Sequence, residues 1–192
     1  MKNTLVFLML FFILVGCSSK TISDFISYEK IPLDYSLENA KNDGLVLYEN
    51  GNITSGQSIW DLFIEKNRKN EPCFVRLAFY YTLVNQNISP ELYEEIKDDY
   101  PVLYIQDLSF DGKTYTLYSV EYGEEYITQF KYLIPLTDAS PPSTATFIKR
   151  EMYVLVNSNE VTWEQIQHGM ISSRFDDYIR HRIVYSKYTY KE

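Results

Sequence analysis

The feature that most restricts the fold is an Asp-Gly pair between two strand-like runs. Asp111-Gly112 separates residues 102–110 from residues 113–122. This pair favours a two-residue type I′ turn, because both turn positions need a positive φ. The sequence therefore predicts an antiparallel hairpin with Phe110 opposite Lys113. The same register pairs Leu108 with Tyr115, Ile105 with Tyr118 and Leu103 with Val120, and the last two pairs are expected to face the core.

Other segments have the composition of strands. Residues 73–84 form a nearly continuous apolar run, interrupted by Arg76, and are rich in β-branched and aromatic side chains. This composition predicts a central strand of a sheet. The remaining predicted strands are residues 45–48, 126–136, 147–156 and 182–190.

Helix signals alternate with these strands. Ser36 is placed to cap a first helix, and Ser58 a second that ends near Lys69. Ser89-Pro90 predicts a third start, and Thr162 with a Gln three residues later has the capping-box spacing. The expected fold class is α+β, an antiparallel β-sheet with three to four short helices packed mainly on one face.

The extreme N-terminus has the pattern of a lipoprotein signal. Lys2 precedes an apolar run, residues 5–15, which is shorter than the ~20 residues a transmembrane helix needs. Leu14-Val15-Gly16-Cys17 then matches a lipobox. We expect cleavage before Cys17 and a diacylglyceryl group, carrying acyl chains such as palmitate, on its sulfur. Two chains are enough for stable anchoring. The alternatives are an uncleaved membrane anchor and a short core helix.

The expected organisation follows from this site. Residues 1–16 are the signal peptide, 17–34 a lipidated tether, and 35–192 a single α+β globular domain. The protein is then held at the cell membrane on its extracytoplasmic side, as a component of the cell envelope. The apolar residues of the tether alternatively dock on the domain. With Cys17 acylated, Cys73 has no partner for an intramolecular disulfide.

Charge excludes one class of partner. After signal removal, 17 basic residues face 26 acidic residues, which argues against binding to nucleic acid. Acidic clusters occur at residues 91–99 and 121–125. They are expected to be solvated surface, and weak binding of divalent cations is left open.

The chain is poorly supplied for catalysis. It contains two histidines and no zinc-site spacing, nucleophile elbow or phosphate-binding loop. No catalytic residue, metal ligand or cofactor is assigned. Cys73 is expected to be a buried, inert thiol. His168 is expected to stabilise a helix C-terminus, and the alternative pairs it with Asp176 or Asp177 as a general base.

Tyrosine gives the clearest functional signal. The chain has 18 tyrosines, and several recur on the predicted strands. Tyrosine combines an apolar ring with a polar tip and is enriched at binding surfaces. The candidate binding surface, for a protein, peptide or glycan, consists of Tyr118, Tyr185, Tyr188 and Tyr190; packing in the core is the alternative. Arg180-His181-Arg182 is interpreted as a small basic rim.

Short motifs over residues 35–185 resemble a family of small Gram-positive surface lipoproteins that is known only as a domain of unknown function. The residues that carry the resemblance are Asp43-Gly44, Val46, Asn52-Ile53, Leu62, Phe63, Val75-Arg76, Asp107-Leu108-Ser109-Phe110-Asp111-Gly112-Lys113, Ser172-Ser173 and Asp177. The usual family pattern has a polar stretch after a Tyr-Thr segment. Here Tyr81-Thr82 is followed by a longer, helix-like insertion. The resemblance implies a lipoprotein without an assigned activity.

Together these features predict a non-catalytic, membrane-anchored binding or interaction module. One alternative is a carboxylate-dependent hydrolase of cell-envelope polymers. Such an enzyme needs two acidic side chains that face each other across a cleft. The other alternative is an inhibitor or accessory subunit of a membrane enzyme.

Overall fold

The fold has nine strands in two antiparallel-dominated sheets and four α-helices among the residues described by this computed structural model. These residues are 25–32, 34–83, 88–121, 123–139, 145 and 147–190. The expected α+β class is confirmed. The predicted signal peptide, Cys17 and residues 17–24 of the predicted tether lie outside the described residues. No described helix has the length and apolar character to cross a membrane.

The larger sheet has six strands in the order β2-β1-β3-β4-β5-β6. Neighbours are antiparallel except β1 and β3, which are parallel. Its strands are β1 (Val46–Glu49), β2 (Asn52–Ser55), β3 (Cys73–Tyr81), β4 (Val102–Phe110), β5 (Tyr115–Glu121) and β6 (Glu124–Phe130). The smaller sheet, in the order β7-β8-β9, consists of β7 (Tyr132–Asp138), β8 (Phe147–Val156) and β9 (His181–Tyr190).

The helices begin at local capping signals. They are α1 (Leu37–Asn42), α2 (Gln57–Arg68), α3 (Pro90–Ile96) and α4 (Trp163–Ile171). Ser36, Ser89 and Thr162 each accept a hydrogen bond from a backbone N–H of the first turn, as the sequence predicts. The second helix differs, because it begins after Gly56 rather than at Ser58. Gly56 has a φ of 78°, a conformation that favours glycine.

The predicted hairpin register is wrong by two residues. Phe110 pairs with Tyr115 and Leu108 with Leu117, so four residues close the turn instead of two. Asp111 explains the longer loop, since its Oδ1 accepts hydrogen bonds from the backbone N–H groups of residues 113 and 114, both at 2.8 Å. A shift of two does not change which residues of a strand share a face. The predicted core face is nevertheless wrong, because the main core takes the alternate residues Leu108 and Leu117, and Tyr118 lies on the outer face. Leu103 and Ile105 pack in the smaller cluster beside α1, not in the main core.

The predicted single strand over residues 126–136 is also wrong. It divides into β6 and β7, which belong to different sheets. The corner lies at Lys131, whose N–H donates to the carbonyl of Val156 at 3.2 Å. This corner carries the chain from the edge of the larger sheet into the smaller one.

The two sheets pack face to face around the main core. The larger sheet contributes residues such as Val46 and Leu77, the smaller sheet Leu155 and Val184, and α2 contributes Trp60. Helix α1 covers the outer face of the larger sheet, and α4 covers the outer face of the smaller sheet. The helices are therefore divided between layers rather than gathered on one face.

Part of the predicted tether packs against the outer face of the larger sheet. Residues 25–30, the N-terminal strap, lie over Arg76. Arg76 donates to the carbonyl of Ile26 at 2.6 Å, and its Cζ lies 4.9 Å and 5.0 Å from the ring centroids of Phe25 and Tyr28. The strap therefore contacts the domain from the eighth residue after Cys17.

The cleft between the sheets as candidate functional site

The inner face of the larger sheet changes character along its strands. Residues two apart share a face of a strand. At one end, the closed end, the inward side chains are apolar and buried: Val75, Leu77, Leu108, Phe110, Tyr115 and Leu117. At the other end, the open end, they are Phe79, Tyr81, Tyr104, Gln106, Ser119 and Glu121. The apolar core therefore stops part-way along the strands, and a cleft begins.

The start of β9 and the segment before it form the opposite wall. We define the intersheet cleft by the open-end residues together with Tyr126, Tyr178, Arg180, His181, Arg182 and Ile183. Three adjoining cavities of about 270, 640 and 450 Å³ make up the space. The first two share Gln106 and Arg182, and the last two share Tyr81 and Ile183. The three cavities therefore lie side by side along the cleft, and the central one, of about 640 Å³, has a size typical for a ligand site.

Gln106 lies at the floor of this groove with an unused hydrogen-bond acceptor. The residue is 4% exposed and pairs in register with Ser119, which is also buried. The Oε1 atom of Gln106 has no hydrogen-bond partner among the described residues. A buried acceptor without a partner costs about 1–3 kcal/mol. An apolar side chain at this position would avoid that cost.

Donors dominate the opposite wall. Arg180 and Arg182 are exposed, and neither forms a salt bridge within the part of the chain that is described. The His181 Nδ1–H donates to the carbonyl of Ile179 at 2.7 Å, so Nε2 is the acceptor of the neutral ring. Burial raises the pKa of Tyr81, against the lowering effect of the Arg182 charge. Cationic donors on one wall thus face acceptors on the floor.

Close packing at the end of α4 positions this wall. A Cβ atom added to Gly169 would lie 2.3 Å from the backbone oxygen of Asp177, so only glycine allows this approach. Ser172, at the helix C-terminus, donates its hydroxyl to Asp177 Oδ2 at 2.6 Å. These contacts hold the 3-10 turn Phe175–Asp177 against α4 and thereby place Tyr178 at the cleft.

The same contacts bring a serine, an aspartate and a histidine together, but not in a catalytic order. His168 Nε2 lies 3.7 Å from Asp177 Oδ2, the oxygen that Ser172 contacts. A nucleophilic serine needs the imidazole as its direct partner. Here the carboxylate lies between the two, and the His168 side chain is 71% exposed. His168 therefore lies near Asp177, as the alternative interpretation of the sequence requires. Among the described residues at this place, however, no serine is positioned for the histidine to activate.

The surroundings of Cys73 do not activate its thiol. Its Sγ donates to the carbonyl of Phe63 at 3.7 Å, and burial raises the pKa of the thiol to about 11. The thiol is therefore protonated at neutral pH and a poor nucleophile.

A second cavity, of about 600 Å³, lies between α2 and the smaller sheet and contains two acids. Asp61 accepts a hydrogen bond from Gln57 at 2.8 Å. Glu151 accepts one from Lys149 at 2.9 Å, and this contact lowers its pKa. A glycosidase needs one carboxyl group with a raised pKa as its general acid. Glu151 is shifted in the wrong direction for that role.

The structure does not bring the four candidate tyrosines onto one surface. Tyr185 is buried in the main core and stacks on Trp60 at 4.9 Å, and Tyr188 joins it at one end of the cleft. Tyr190 is exposed on β9 and donates to Asn52 at 2.9 Å. Tyr118 lies on the outer face of the larger sheet, where its ring contacts Tyr28 of the strap.

The central cleft residues were not singled out from the sequence as a site. Tyr81, Tyr104 and Gln106 come from β3 and β4, and only a correct pairing of those strands places them together. A usable signal was present, because Gln106 occupies an inward position between apolar neighbours. The sequence indicates the basic rim at residues 180–182 but not the aromatic side chains that it faces.

No family model matches the chain. Neither a curated protein nor a solved structure matches it. The resemblance to small Gram-positive lipoproteins therefore stays a prediction. Among the described residues, no group of three or more His, Cys, Asp or Glu side chains is arranged to hold a metal ion.

Proposed function

We propose that this chain is a lipid-anchored binding protein on the extracytoplasmic side of the cell membrane, and that the intersheet cleft holds its ligand. The observation that carries the binding role is the buried Gln106 Oε1 atom, which has no hydrogen-bond partner among the described residues and belongs to a residue at the floor of a groove with convergent polar groups. A well-formed pocket with a few such groups is the default position for a ligand.

The lipobox supports the anchored part of the proposal. An acylated Cys17 would lie only eight residues before Phe25, where the strap contacts the domain. Even at full extension, eight residues span no more than about 28 Å, so the domain stays within that distance of the lipid surface. The ligand is then a molecule that is present close to the membrane surface.

A binding role agrees better with the cleft than hydrolysis does. The described lining of the central cavities contains one carboxylate, Glu121, and hydrolysis of a glycosidic bond ordinarily uses two. The second cavity has two acids, but Glu151 lacks the raised pKa of a general acid. No specific contact favours an inhibitor or accessory subunit over a ligand-binding module.

The anchor is tested by Cys17→Ala, with Cys73→Ala as the matched control. We expect the first variant to lose both the acyl mass increment and membrane fractionation, because the thiol is the attachment point. The control should keep both, since Cys73 lies within the domain. Mass spectrometry and fractionation of the expressing cells measure the outcome. Wild-type protein found intact and unacylated in the cytosol would overturn the proposal, and Cys17→Ala retained in the membrane would transfer anchoring to the apolar segment.

A further inference from the structure

We infer that the intersheet cleft binds an acidic oligosaccharide, a linear glycan whose units carry carboxylates together with hydroxyl or acetamido groups. The inference rests on the proposed function, because it names the ligand class of the same cleft. Three properties of the cleft lead to it: its length, its half-exposed rings, and the arrangement of donors and acceptors.

The length of the cleft fits a chain of several units. The three cavities follow one another, from Thr128 and Phe130 at one end to Gly51 and Tyr188 at the other. Neighbouring cavities share lining residues, so each lies directly beside the next. A single small molecule would fill one cavity, whereas a linear polymer fills the series.

Half-exposed tyrosine rings line the cleft where a core would have buried ones. Tyr81, Tyr104, Tyr126 and Tyr178 are between 39% and 51% exposed. Tyr81 and Tyr104 lie with ring centroids 6.1 Å apart. Each ring offers a flat apolar face beside a polar hydroxyl. A pyranose has the complementary shape, with an apolar C–H face and hydroxyl groups at its edge.

The polar groups select an anionic sugar over a neutral one. Glu121 accepts hydrogen bonds, which sugar hydroxyls and acetamido N–H groups donate. Gln106 Oε1 is buried without a partner among the described residues, and it would accept from the same donors once the terminal carboxamide turns toward the ligand. Arg180 and Arg182 require acceptors, and a planar carboxylate pairs with a guanidinium through two hydrogen bonds. The cleft thus places two arginines where a carboxylate can bind, although the whole chain has a net charge of −8.

An acidic peptide meets this pattern less well. It presents only one backbone N–H donor for each residue. A sugar unit presents several hydroxyl donors beside each carboxylate. The glycan can therefore donate hydrogen bonds to the acceptors on the floor of the cleft and accept them from the arginines on its wall.

The test is calorimetric titration of the full-length lipoprotein in detergent with two defined tetrasaccharides. Hyaluronan tetrasaccharide carries carboxylates and acetamido groups, and chitotetraose carries acetamido groups only. We expect the acidic probe to bind about tenfold more tightly. Arg182→Gln should remove this preference by weakening the acidic probe alone. Tyr104→Ala should weaken both probes about tenfold, because stacking does not depend on charge.

Arg174→Gln is the matched control, because Arg174 is an exposed arginine outside the cleft lining. It should change either affinity less than twofold. Equal losses in Arg174→Gln and Arg182→Gln would show general charge attraction and overturn the inference.

Absence of binding by both saccharides at about 1 mM would also overturn the ligand class. A glutamate hexapeptide that binds in their place, with dependence on Arg182, would leave a binding cleft but assign it to peptides. The Cys17→Ala experiment tests only the lipid anchor, whereas the saccharide titration tests only the ligand class. A failure of one can therefore be distinguished from a failure of the other.

Discussion

Two neighbouring residues of β4 point to opposite faces of the larger sheet, and both carry a buried polar side chain. Gln106 and Asp107 are each 4% exposed. Asp107 accepts hydrogen bonds from Arg76 at 2.6 Å and 2.8 Å, while Gln106 Oε1 accepts none among the described residues. Two equally buried polar side chains therefore differ in whether their polar atoms have a hydrogen-bond partner.

On the outer face, the buried charges of Arg76 and Asp107 are paired with each other. Arg76 lies opposite Asp107 in the register of β3 and β4, binds it with both ends of the guanidinium, and uses its remaining nitrogen on the strap. Burial lowers the pKa of Arg76, but the hydrogen bonds and charge of Asp107 outweigh this effect and raise it. Arg76 is therefore charged at neutral pH where it contacts Asp107. Its function is to join two strands and the N-terminal strap.

Arg76→Met should have the largest effect on stability. It leaves the Asp107 carboxylate buried without its countercharge, so we expect the free energy of unfolding to fall by about 3–5 kcal/mol. Urea denaturation followed by circular dichroism measures the change. The double variant Arg76→Met/Asp107→Leu is the control, and it should recover most of the loss because no charge is left buried. A single variant that loses under about 1 kcal/mol would show that water reaches the carboxylate and that the outer face is less closed than the contacts indicate.

A pair of truncations on the inner face should locate the boundary between core and cleft. Leu108 and Tyr104 lie two residues on either side of Gln106, on the same face of β4. Leu108→Ala removes a fully buried side chain and should cost about 2–5 kcal/mol. Tyr104→Ala, at a side chain that is 42% exposed, should cost about 1 kcal/mol or less. Equal costs in thermal unfolding would mean that the core continues through the cleft.

Local signals explain the parts of the fold that the sequence predicted. Ser36, Ser89 and Thr162 cap their own helices. The start of each helix is therefore determined by a few residues that are adjacent in the sequence. Residues 147–156 form a strand with the predicted bounds. The errors depend on contacts between distant segments. The corner at Lys131 contacts Val156, and β1 lies parallel to β3 across an intervening helix.

The candidate site was less accessible to prediction for the same reason. An aromatic binding surface was expected, and Tyr185 and Tyr188 do lie at one end of the cleft. The centre of the cleft combines residues of β3, β4, β5 and β9. The positions of these residues depend on the pairing of β4 with β5, for which the Asp-Gly pair predicts the wrong register. Arg76 interrupts an apolar run in the sequence, but no local pattern indicates that Asp107 is its partner on the next strand.

The most direct measurement of the central claim is the substitution Gln106→Leu, followed by both denaturation and titration with hyaluronan tetrasaccharide. Leucine has a similar volume and no unpaired acceptor, so the free energy of unfolding should stay unchanged or rise by about 1 kcal/mol. Affinity for the saccharide should fall about tenfold, because the floor of the cleft loses its acceptor. A variant that is destabilised by more than about 1 kcal/mol and still binds with full affinity would contradict the account, since Gln106 would then be part of the structural core.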